Sequence, residues 1–198
     1  RDRLRSRGLG DVYKRQFLQD SYRLNSSKGY FAVNGGVRLS YWDFNKEFLF
    51  SPRISVSYIP AKADRWVFRF ATGLYYQSPF YKEFRRPVEN GTVIELNNEI
   101  KSQRSWQFIL GADYTFRMLN RPFKLSGEAY YKALSNLIPY EVDNLKIVYD
   151  GINSSSGFAA GVDFKLFGQF VPGSDSWISF SLMKTQETLN GVKVPRPN

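Results

Sequence analysis

The chain has 198 residues with 28 Lys+Arg against 18 Asp+Glu, a formal charge of +10, and it contains no Cys and no His. Those absences exclude a disulfide scaffold, a Cys/His zinc site, a catalytic thiol and every His-based triad or general base. Aromatic residues make up 17% of the chain, too many for a disordered sequence, and no stretch approaches the roughly 18 apolar residues of a membrane helix.

The first sixteen residues, RDRLRSRGLGDVYKRQ, stand apart. They show no strand alternation and lack the apolar centre of a signal peptide. Ser6 to Gln16 resemble, over eleven consecutive residues, the translation of a transposon-based sequencing adapter. Residues 1–16 are therefore expected to be an adapter artefact, and 17–198 the native part. The competing reading, a basic arm for nucleic acid, weakens with the charge. Removing six basic and two acidic residues leaves 22 basic and 16 acidic groups, net +6, scattered without a basic stripe. No nucleic-acid partner is expected.

From Phe17 onward the dominant period is two. Residues 17–24 (FLQDSYRL) form a weak first strand, because Asp20 shares a face with Leu18 and Tyr22. Phe31, Val33, Val37, Leu39 and Tyr41 then alternate with Ala32, Asn34, Arg38 and Ser40. Runs of the same kind cover 53–58, 66–74, 106–117, 123–132, 158–166 and 178–183. Each reads as a half-apolar strand, one face aliphatic and aromatic, the other charged and small. Several run about ten residues, the length of a tilted membrane-spanning strand. Such strands average out polar, so the absence of an apolar helix says nothing against a membrane β-barrel.

The connections alternate as well. Residues 25–29, 60–65 and 118–122 are short, 42–50 longer, 79–104 and 133–156 long, and 168–176 intermediate. Tight turns at one end and long loops at the other mark an outer-membrane barrel. On that scheme Trp42 and Trp106 stand at the outer interface, and Trp66 and Trp177 at the inner one. The four would form two aromatic girdles at headgroup level. A soluble β-sandwich with core tryptophans is the competing reading.

The chain also resembles the barrel of TonB-dependent outer-membrane receptors, in particular the large type with a carboxypeptidase-like regulatory domain. The resemblance rests on FLQDSYRL (17–24), GGVRLSYW (35–42), FLFSPRISVSYIP (48–60), YYQSPFYKEFR (75–85) and, above all, the run from Tyr130 to Thr185, with PRPN at 195–198. It implies an all-β, antiparallel transmembrane barrel fragment, about eight strands of a barrel of about 22. It further implies a Gram-negative outer-membrane location and energised uptake of a nutrient ligand: a glycan, a peptide or a metal chelate. Expected partners are outer-membrane lipid, TonB through an upstream part, the extracellular ligand and a surface lipoprotein. Both ends read as cut, since the family carries a plug domain, a TonB box and a terminal strand that this sequence lacks. A passive porin-like barrel is the alternative.

No catalytic constellation, metal site or cofactor motif stands out, so no enzyme is expected. Glu128 and Asp163 occupy polar-face positions on separate strands, within reach of Lys124, Lys132 or Lys165. Recognition is expected in the loops. Residues 79–104 offer Tyr81, Arg85, Arg86, Glu89 and Glu95, and residues 133–156 offer Tyr140, Asp143, Lys146 and Tyr149. Tyr81, Arg85, Arg86, Tyr140 and Tyr149 are the ligand-contact candidates. NLKIVYD (144–150) alternates too and is expected to extend the wall above the membrane.

Overall fold

Alternating apolar and polar residues direct the backbone into strands, and a computed structural model shows how those strands pair. It describes residues 13–83, 85–87, 94–143, 146–189 and 191–195. The long strands are β1 (Tyr13–Ser26), β2 (Gly29–Trp42), β3 (Glu47–Pro60) and β4 (Trp66–Gln77). After the short β5 (Arg85–Pro87) and β6 (Ile94–Leu96) come β7 (Gln103–Met118) and β8 (Arg121–Leu137). Then follow β9 (Tyr140–Asp143), β10 (Lys146–Tyr149), β11 (Ser155–Val171), β12 (Ser174–Leu189) and β13 (Val192–Pro195). Among the described residues one nine-stranded sheet runs β1-β2-β3-β4-β7-β8-β11-β12-β13 and is not closed, while β5–β6 and β9–β10 form separate two-stranded sheets. Every pairing is antiparallel.

The turns sort by end. At one end lie residues 27–28, 61–65, 119–120 and 172–173; the longer segments 78–102 and 138–154 lie at the other. The two-residue turn at 119–120 is of the primed kind, with positive φ at both Leu119 (52°) and Asn120 (61°). That twist matches the flanking strands of a hairpin. Two expected boundaries tighten. The connection at 42–50 shrinks to 43–46, and that at 168–176 to 172–173, because strand pairing continues past the visible alternation. The eight long strands run 12 to 17 residues rather than about ten. A 16-residue strand rises about 50 Å, more than the roughly 30 Å hydrocarbon layer, so the strands extend beyond it even when tilted.

The sheet has two unlike faces. Register places Trp106, Phe108, Leu110, Ala112 and Tyr114 of β7 beside Ala133, Tyr131, Ala129, Gly127 and Leu125 of β8. The same face continues through Phe158, Val162 and Phe164 of β11 and Leu182 and Phe180 of β12. These apolar side chains are the exposed ones: Leu110 is 62% and Phe180 56% accessible. The polar face is the more covered, with Ser40, Ser51 and Asp113 buried on it. A soluble sheet buries its apolar face; here the apolar face is bare, which is the arrangement a lipid environment requires. Asp20 lies on the apolar face opposite Gly35, between Leu18 and Tyr22, as the sequence pattern requires. Close packing on the apolar face has a local device at Phe123, which shares that face with Phe116 and Leu125. Its ring lies over Gly168, whose missing side chain leaves the space that a Cβ would fill, and Phe123 is thereby buried.

A charge placed on the apolar face is therefore expected to act differently from one on the polar face. In the complete receptor, Leu110→Arg should destabilise the folded barrel by about 2–4 kcal/mol, whereas Gln107→Arg, three residues nearer the long-loop end and on the opposite face, should cost under about 1 kcal/mol. Urea titration of the heat-modifiable gel band checks both.

Candidate functional site

At the long-loop end the connections fold together. Trp42, at the end of β2, is 0% exposed and forms a small core with Ile100 and Ile138, against which Phe44, Leu96 and Tyr149 pack. Hydrogen bonds fasten the same region. Glu47, at the start of β3, accepts from the Ser102 amide (2.9 Å) and hydroxyl (2.8 Å) and from Asn45 Nδ2 (3.2 Å) through one carboxylate oxygen. Asn153 Nδ2 donates to the carbonyls of Lys101 (2.9 Å) and Asn136 (2.7 Å), and its Oδ1 accepts from the Lys101 amide (2.7 Å). Asn136 has a positive φ of 57° within β8, next to the bulge where β8 and β11 lose register. Asn97 Nδ2 donates to the Gly151 carbonyl at 2.7 Å. Residues 96–102 and 149–153 are thus tied to each other and to the wall.

The ligand-contact candidates divide within this end. Tyr140 and Tyr149 are direct partners on the β9–β10 hairpin, their ring centroids 5.8 Å apart. Tyr140 is exposed and Tyr149 leans on the buried core. NLKIVYD supplies β10 of this hairpin rather than an extension of the main wall, because it pairs locally with Tyr140–Asp143. Asp143 and Lys146 are the hairpin's inner pair. Tyr81 is exposed and sits apart, beside Tyr76, Phe80 and Arg15. Arg85 and Arg86 lie on β5, paired in register with Leu96 and Glu95. Glu89 lies outside the described residues.

The polar face carries an ion cluster that the sequence reading passed over. Asp113, 3% exposed, pairs with Arg69 and with Lys124 Nζ, the latter at 2.9 Å. Lys124 was expected beside Glu128 or Asp163, but it engages Asp113 instead. Lys132 lies over the Tyr130 ring (5.1 Å) and Lys165 over the Trp177 ring (5.2 Å). Glu128 and Asp163 face one another directly across β8 and β11, and among the described residues neither forms an ion pair. The overlooked signal was Asp113 itself, the one carboxylate on the polar side of β7.

The tryptophans stand near strand ends and divide by face. Trp106, at the long-loop end, lies on the apolar face and donates from Nε1 to Thr72 Oγ1 (3.1 Å). Trp66, at the short-turn end, lies on the same face, stacked on Phe68. Trp42 and Trp177 stand on the polar face. Trp42 is paired with Glu47 and buried beneath the loops; Trp177 is paired with Phe167 under Lys165. Strand parity decides this, since Trp42 shares its face with Ser40, and Trp177 with Ser179.

Long antiparallel strands, a bare apolar face, a charged opposite face and loops of unequal length at the two ends define the wall of a transmembrane β-barrel. The family model for the TonB dependent receptor-like β-barrel matches residues 2–197, and the chain belongs to that family. No curated protein and no solved structure matches it significantly. The family places the chain in the outer membrane of a Gram-negative bacterium, as part of a transport receptor's barrel whose polar face lines the lumen. Its members are transporters that work with TonB and nutrient ligands.

The loop fastening predicts that Asn153→Ala, which strands two carbonyls and one amide, loosens both outer segments at a cost of about 1–3 kcal/mol locally. Limited proteolysis of whole cells should then cut within 78–102 or 138–154 where the parent receptor resists. In the lumen, Asp113→Asn should lower barrel stability by about 1–2 kcal/mol, since Arg69 and Lys124 lose their counter-charge but remain partly solvated. The urea midpoint reads it, and adding Arg69→Met should recover part of the loss.

Proposed function

We propose that this chain supplies lumen wall and outer loops to a receptor that takes up a glycan, a peptide or a metal chelate by TonB-driven transport. The observation that carries the reading is the fastening of residues 96–102 and 149–153 into one outer body. That body carries the β9–β10 hairpin on a fixed base, with Tyr140 exposed and Tyr149 half-buried beside it. Pre-ordered aromatic and polar groups bind a ligand at a lower entropic cost than loose loops would. Tyr140 and Tyr149 form one contact patch, and Tyr81, with Arg85 and Arg86 further along the same segment, forms a second. A surface lipoprotein would meet the same outer body. Trp66 and Trp106, both on the lipid face at opposite ends, serve as the headgroup anchors.

Residues 1–16 are proposed to be foreign to the native receptor. Lys14 and Gln16 support this, because they take apolar-face positions opposite Tyr41 and Leu39. Long-read sequencing of the locus tests it: a native reading frame that diverges upstream of Phe17 is the expected outcome.

Removing Tyr140–Tyr149 from the complete receptor should abolish growth on its nutrient while leaving the heat-modifiable barrel in the membrane. Growth should also fail in cells lacking TonB. Uptake that persists without TonB would instead indicate a passive barrel.

A further inference from the structure

The basic residues look dispersed along the sequence, but strand register gathers two of them. Arg38 on β2 lies opposite Ser51 of β3, and Arg53 of β3 lies opposite Gly36. The two guanidinium-bearing residues are therefore diagonal neighbours on the lumen face, about 7–8 Å apart or less at their Cβ atoms. Beside them the sheet forks. The β3–β4 ladder ends at the Arg53–Gly73 pair, and the next residue up β3 is Pro52, which has no N–H to continue a ladder. A pocket of about 80 Å³ opens at this fork, lined by Arg38, Arg53, Ser40, Ser51 and Ser78 among others. That is room for a carboxylate or phosphate group.

Its chemistry is one-sided. No carboxylate lines the pocket, and among the described residues neither Arg38 nor Arg53 forms an ion pair. The nearest carboxylate on β3, Glu47, is turned into the outer loops by Ser102 and Asn45. Arg53 is held by the Tyr75 ring, 4.3 Å below its Cζ, and its buried Nε has no hydrogen-bond partner. A buried N–H donor without an acceptor is costly, and an anion would satisfy it. Arg15 also lines the pocket, but the two arginines with the Ser40 and Ser51 hydroxyls make the site without it.

We propose that Arg38 and Arg53, with Ser40, Ser51 and Ser78, form a binding site for a carboxylate or phosphate group of a small ligand, on the lumen face just beneath the outer loops. The site rests on the reading of the barrel as a nutrient receptor, but its test does not require transport.

The test is calorimetric titration of the complete receptor, purified from outer membranes, with citrate, with inorganic phosphate and with neutral maltose. Saturable binding of citrate or phosphate is expected, and whichever binds identifies the preferred group. Arg53→Gln and Arg38→Gln should each weaken it by about tenfold or more. Arg53→Lys, which keeps the charge and loses Nε, should weaken it less. Heat-modifiable mobility confirms that each variant is folded, and Ser51→Ala, which leaves both charges, provides a milder variant expected to weaken binding about threefold. Absence of anion binding by the parent receptor, or binding unchanged in both glutamine variants, overturns the site. A receptor that binds no anion yet shows TonB-dependent growth loses only this site and keeps its assigned uptake role.

Discussion

A strand surrounded by lipid has no water to satisfy its peptide groups, so each must be bonded to a neighbouring strand. That constraint organises the whole sheet. It selects long antiparallel ladders joined by tight turns, and it fixes the register wherever a slip of one residue would exchange the two faces. Leu110 cannot trade places with Gly111 without driving Asp113 into the lipid. The alternation visible in the sequence is the trace of this requirement, which is why it persists across eight strands separated by loops of very different length.

The same constraint explains what could be read in advance and what could not. The strands and the two faces follow from period two and turn spacing, and so does the strand end at which each tryptophan stands. Strand end and face are separate coordinates, however. Trp66 and Trp177 both begin strands that rise from short turns, yet one follows the parity of Phe68 and the other that of Ser179. The parity was already in the sequence, and applying it position by position would have turned Trp42 and Trp177 inward. Strand ends were less legible because alternation fades where the sheet leaves the hydrocarbon and both faces meet water. Residues 47–50 with β2, and 133–135 with β7, pair regularly without showing a clean pattern.

Lumen electrostatics depend on cross-strand neighbours, and these follow from register rather than from separation along the chain. Lys124 and Glu128 are close in sequence and share a face, which made them natural partners on paper. Asp113 lies one strand away, and it gathers both Lys124 and Arg69 from its two sides. The cations left over settle on aromatic rings, Lys132 on Tyr130 and Lys165 on Trp177. A cation over a ring face is stabilised without a carboxylate. The loop fastenings were hidden for the same reason: Asn153 and Lys101 are 52 residues apart, and no local pattern announces their contact.

The outer loops and the arginine pair meet at one point of the structure, and each constrains the other. Glu47 starts β3 and is used to hold segment 78–102 through Ser102. Arg53 stands six residues further down the same face, about 20 Å along the strand and beyond the reach of that carboxylate. Fastening the loop therefore uses the one carboxylate of β3 at its outer end, and the arginines below it have no acidic neighbour on their own strand. A ligand held by the tyrosine hairpin would next encounter a cationic patch inside the wall. Order along that path, aromatic contact first and charge second, follows from where the two groups stand, the hairpin in the outer segment and the arginines on β2 and β3 below it.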